Sequence, residues 1–171
     1  MTGQIPESHV DTSTEAPLDV VEQIAEFNEW EFNRRNNDEI VVQAQGRYCD
    51  YSMYFAWTPD EKALHFTCAL DIRVPENNLG TLCELVVRIN QKLWLGHFEI
   101  WLEEGIPMYR HTFLLRGVQG APLQIEQAED VIGTALTECE KYYPVFQYVI
   151  WGGKTPEEAL EAAMIDTVGE A

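Results

Sequence analysis

Several features are missing or scarce in these 171 residues, and each absence narrows the function. No run of about 18 apolar residues occurs, and Met1 to Ser8 lacks the basic segment and apolar core of a secretory leader. A cytoplasmic protein that makes no use of membranes is therefore expected. Lysine and arginine number 11 against 29 aspartates and glutamates, for a net charge of -18. Arg34-Arg35 is the only adjacent basic pair. Neutralising phosphates needs clustered cations, so nucleic acid and anionic lipid are disfavoured as partners. The acidity serves solubility first and attraction to a basic client second. Cys49, Cys68, Cys83 and Cys139 are dispersed, with no Cys-x-x-Cys spacing, so neither a zinc site nor a disulfide framework is indicated. They read as small core residues of a reduced compartment, with Cys49, beside Asp50 in a turn, the one expected to be exposed. There is no Gly-x-Ser-x-Gly elbow, His-Glu-x-x-His pair or Gly-x-Gly-x-x-Gly loop. No catalytic, cofactor-binding or metal-binding residue is assigned.

What is present is a strong pattern of apolar periodicity. A chain of this length buries roughly 70% of its unfolded surface as one domain. Residues 1–16 are polar, turn-prone and acidic, and read as a mobile tail; 17–171 form a single domain that includes a short acidic C-terminal helix. Pro17 suits a first helical position, and Val20, Ile24 and Phe27 make one stripe of a helix ending near Trp30. Asn33 to Asp38 read as a polar breaker. Three runs with period two follow: Ile40, Val42 and Ala44; Tyr51, Met53, Phe55 and Trp57; and Leu64, Phe66, Cys68, Leu70 and Ile72. Pro75 opens a second helix, where Leu79, Leu82, Val86, Ile89 and Leu93 repeat at three and four, before Gly96. Phe98, Ile100 and Leu102 then alternate, Glu104-Gly105 turns, and Tyr109, Phe113 and Leu115 return. A loop over 117–122 leads to a third helix carrying Ile125, Ala128, Ile132, Ala135, Cys139 and Tyr142, with Pro144 expected to kink or interrupt it. Thr155-Pro-Glu-Glu158 has the form of a capping box. The predicted fold is α+β, in the order α-β-β-β-α-β-β-α plus a short C-terminal helix. Its five-stranded antiparallel sheet carries helices on one face.

Four constellations could carry chemistry. Gly153-Lys154-Thr155 resembles the end of a phosphate loop, but the glycine required five positions earlier is Tyr148, so a helix terminus is the better reading. His97, Glu99 and His111 could converge on the last hairpin, but metal sites need three or four ligands and a one-residue slip would put His111 on the opposite face. Of the five tryptophans, Trp101 alternates with Ile100 and faces away from Phe98, making it a candidate anchor if that sheet face is bare. Leu82, Val86 and Ile89 form a seam regular enough to meet a partner helix.

The motifs Arg47-Tyr-Cys-Asp-Tyr51, Ile89-Asn-Gln-Lys-Leu-Trp-Leu-Gly-His-Phe98, Leu114-Leu-Arg-Gly117 and Phe146-Gln-Tyr-Val-Ile-Trp-Gly-Gly-Lys-Thr-Pro-Glu-Glu158 resemble the YbjN family, bacterial proteins described as sensory transduction regulators. The resemblance spans about Pro17 to Thr167. It implies a fold like that of type III secretion chaperones, small acidic cytoplasmic dimers that bind extended protein segments. It carries no catalytic residue over.

The leading expectation is a non-enzymatic, homodimeric module that regulates or chaperones a protein partner, with Leu82, Val86, Ile89 and Trp101 as its candidate interaction surface. The alternative is a small-molecule sensor with a pocket between sheet and third helix near Tyr142, Phe146 and Trp101. An enzyme using His97 and Glu99 ranks third.

Overall fold

The computed structural model describes residues 16–117 and 123–168; the tail and most of the loop anticipated above lie outside them. The elements are α1 (Pro17–Phe27), β1 (Glu31–Arg34), β2 (Glu39–Gln45), β3 (Asp50–Thr58), β4 (Ala63–Ala69), α2 (Leu79–Asn90), β5 (His97–Trp101), β6 (Ile106–Leu114), α3 (Ile125–Ile150) and α4 (Pro156–Val168). All strand pairs are antiparallel, in the order β1-β2-β3-β4-β6-β5.

The α+β class holds, but the sheet has six strands rather than five. The extra strand is β1, taken in part as a breaker because it is an edge strand with little to bury. Its inward position opposite Ile40 is occupied by Arg34, whose Nη1 lies 2.7 Å from Asp19 Oδ1 and 3.0 Å from Glu22 Oε1 on α1. An ion pair to a helix fills the place where alternation would have supplied a hydrophobe. With that strand present, α1 ends at Phe27 rather than near Trp30; Glu29 turns the chain in a left-handed conformation (φ 57°).

Every second residue of the central strands points to the helices. Ile40, Val42 and Ala44 pair with Phe55, Met53 and Tyr51, and Phe55 and Met53 pair in turn with Phe66 and Cys68, all buried. Leu18, Val21 and Ile24 of α1 and Ala128, Ile132, Ala135 and Cys139 of α3 complete that layer. At burial worth roughly 1.5–3 kcal/mol per large apolar side chain, this layer dominates the folding energy. Phe98 packs edge-on to Tyr142 at 5.8 Å and lies 5.9 Å from Phe146, tying β5 to α3. The turn before β3 is pinned to the same helix: the Arg47 N–H donates to Glu140 Oε1 at 2.7 Å, and Tyr48 stacks on Tyr143 at 5.3 Å. The opposite face of the sheet, which includes Tyr54, His65, Thr67, Arg110 and Glu99, is partly exposed and is covered by no helix among the described residues.

One helix end differs from expectation and two match. Pro75 precedes a single 3₁₀ turn, Glu76–Asn78, and the α-helix begins only at Leu79. α3 runs through Pro144 to Ile150, where Gly153 (φ 62°) lets the Lys154 N–H donate back to the Tyr148 carbonyl at 3.1 Å. At α4 the capping box is formed: Thr155 N–H donates to Glu158 Oε2 at 2.9 Å and Glu158 N–H to Thr155 Oγ1 at 3.2 Å. Among the described residues no helix is long and apolar enough to cross a membrane.

Candidate functional site on the open sheet face

A concavity of about 580 Å³ lies on the uncovered face. Register explains it. One row across the sheet reads Tyr54, Thr67, Arg110, and the next reads Ser52, Ala69, Met108. Thr67 therefore sits between the longer Tyr54 and Arg110, and Ala69 beside the longer Met108, so the surface sinks along β4. Tyr54 forms one rim, 40% exposed; Trp101 and Leu102 form the other, 49% and 58% exposed. Met108 and Ala69 lie in the floor, and Ile106, directly opposite Trp101 on β6, lines the hollow beside it. Arg110 Nη1 donates to Glu99 Oε1 at 2.9 Å, closing one wall with a neutralised pair. Glu103 stands on the rim with no ion pair among the described residues.

Trp101 therefore lies where strand parity put it, on the bare face. Leu82, Val86 and Ile89 do not accompany it. Leu82 and Ile89 are wholly buried and Val86 is 8% exposed, because the stripe of α2 packs into the chain's own core. The apolar stripe thus faces the chain's own core. The three residues foreseen around a pocket between sheet and third helix do not meet: Tyr142 and Phe146 are packed on Phe98 in the core, and Trp101 points from the other side of the same strand.

The histidines separate as well. His97 pairs in register with Arg110, one residue away from His111, so His111 faces inward while His97 faces out. His111 lies edge-on to Phe113 at 5.0 Å; burial, with a smaller contribution from His97, pushes its pKa down. His97 Nε2 is 3.8 Å from Glu99 Oε2. No group of three or more potential metal ligands converges among the described residues. Cys49, expected to be exposed, is half buried, and burial pushes its thiol up; Cys83 is the exposed cysteine. Cys68 and Cys139 are buried in contact, Sγ to Sγ 3.8 Å.

The Ile89 to Phe98 motif is a structural lock. Asn90 Nδ2 donates to the Phe98 carbonyl at 2.9 Å and the Phe98 N–H donates to Asn90 Oδ1 at 2.7 Å, so one side-chain amide satisfies both outward backbone groups of an edge-strand residue. Gly96 (φ 64°) lies over Tyr109, whose hydroxyl donates to the Leu95 carbonyl at 2.7 Å. A β-carbon at Gly96 would lie 2.1 Å from that hydroxyl. Sequence reasoning gave Gly96 a stop role and missed Asn90; an asparagine at a helix end a few residues before a strand is a signal that could have pointed to it. Tyr54 was also missed as a site residue, although its parity opposite Met53 and Phe55 marks it as outward.

Residues 17–148 match the family model for YbjN, described as "Putative bacterial sensory transduction regulator". No curated protein matches the chain.

Proposed function

The chain belongs to the YbjN family, and from that premise we propose that it is a non-enzymatic regulatory module that holds a protein partner on the open face of its sheet. The observation that carries this reading is the hollow between Tyr54 and Trp101: two half-exposed aromatic rims around a mostly apolar floor, where aromatic anchors commonly concentrate binding energy. Its lining holds no nucleophile beside a base, and its one buttressed carboxylate, Glu99, is committed to Arg110. The family is described by a regulatory role and not by a reaction. The kinship with secretion chaperones and the cytoplasmic setting belong to the same proposal. So does the homodimer, which would need apolar surface other than the buried stripe of α2; Phe27, 83% exposed at the end of α1, is one such surface. A shallow, open hollow on a sheet suits side chains of a protein better than an enclosed metabolite.

The test is site-directed photo-cross-linking in cells, with a photoreactive residue at Leu102 on the rim and, as control, at Glu157 on α4. Discrete protein adducts from Leu102 and none from Glu157 are expected. Adducts from both positions alike, or from neither, would sink the reading. Light scattering at micromolar concentration tests the dimer, and a strict monomer removes that part.

A further inference from the structure

We propose that the hollow accepts a protein segment in which an apolar side chain neighbours a lysine or arginine. This rests on the protein-binding reading above and commits it to one partner chemistry. The floor of Ala69 and Met108, deepened by the small side chain of Thr67, receives the apolar group. Trp101 and Glu103 receive the cation: an exposed indole and, two residues on, a carboxylate that no lysine or arginine neutralises among the described residues. A cation over an exposed indole is attracted by the electron-rich face of the ring, and an adjacent carboxylate adds to it. Glu99 offers no such place, because Arg110 already satisfies it.

Charge decides among occupants. A second copy docked face to face would bring Glu31, Glu39 and Asp50, all outward by register, toward the like-charged face of its partner in a chain of net charge -18. Like charges juxtaposed across an interface repel, so the same face disfavours acidic segments. A purely basic segment would leave the floor unfilled.

Three synthetic peptides of equal length test this against the full chain: one alternating leucine and lysine, one alternating leucine and glutamate, and one of lysine alone. Binding is read from the methyl resonance of Met108 and the indole N–H resonance of Trp101. The leucine-lysine peptide should shift both at the lowest concentration. Trp101→Ala should weaken it about tenfold or more, and Glu103→Gln by roughly twofold to fivefold, with far-UV circular dichroism unchanged since both side chains are exposed. Equal binding by lysine alone, tighter binding by the glutamate peptide, or indifference to both variants would overturn the proposal. Leu102 cross-links to a partner segment devoid of lysine and arginine would overturn it too, while leaving the protein-binding reading intact. Absent cross-links with the expected peptide ranking would do the reverse.

Discussion

Replacing Asn90 should separate a structural motif from a functional one. In Asn90→Ala the Phe98 N–H and carbonyl lose both partners at once, having been held at 2.7 and 2.9 Å in a partly buried position. Two neutral hydrogen bonds at about 1 kcal/mol each give a loss of roughly 2 kcal/mol. In a chain of this size each kcal/mol moves Tm by about 2–4 °C, so a fall of roughly 4–8 °C is expected. Asn90→Asp sharpens the test. A carboxylate still accepts from the Phe98 N–H but sets its second oxygen against the Phe98 carbonyl, so the loss should equal or exceed that of alanine. Urea unfolding followed by circular dichroism measures both, and an unchanged denaturant slope would locate the effect in the native state. Loss of less than about 0.5 kcal/mol in the alanine variant would place it within the range of inert surface changes and refute the reasoning. So would an aspartate variant as stable as the parent.

Gly96→Ala should destabilise more than Asn90→Ala, since it strains a left-handed backbone and drives a methyl group into the Tyr109 hydroxyl; thermal melts rank the two. With a thiol-specific reagent, Cys83 should react first and Cys49 more slowly, while Cys68 and Cys139 should react only on unfolding; mass mapping of the adducts decides it. Burial holds the Tyr109 phenol up to about 12 and Tyr51 higher still. Their protonated forms therefore stabilise the fold fully below the unfolded tyrosine pKa near 10, and that contribution is lost as pH rises through the folded values. Phenolate absorbance from these two should appear only above the pH at which free tyrosine ionises. Hydrogen bonding with Thr155 pulls the Glu158 carboxyl below its ordinary range. The start of α4 should then lose protection from amide exchange as pH falls through that lowered value, and should be indifferent to pH above the normal carboxylate range.

The core strands were legible because Ile40, Met53, Phe66 and their neighbours obey a period of two on a sheet with one bare face. β1 was not, since Arg34 replaces an apolar contact with an ion pair that has no periodic signature. The stripe of α2 is legible in the sequence as a stripe, but not the surface it packs against. Periodicity establishes that Leu82, Val86 and Ile89 share a side, but which surface covers that side is a tertiary fact, decided here by the chain's own core. Half of the hollow could be read from parity, which set Trp101 outward. The other half depends on register, because only the pairing of Tyr54 with Thr67 and of Thr67 with Arg110 sets small residues between large ones.

The dependence of the sheet on α3 bears on how the chain is made. Glu140 holds the turn before β3, Tyr143 stacks on Tyr48, and Tyr142 and Phe146 back Phe98. All four anchors leave the ribosome after the last strand. At synthesis rates of about 5–20 residues per second, the nascent strands wait several seconds with Phe66, Tyr109 and Phe98 uncovered. A ribosome stalled in the loop before α3 would hold a greasy, sticky chain with all six strands made and no α3 to cover them, so the stretch encoding Ile125–Ile150 is where slow translation would do most harm.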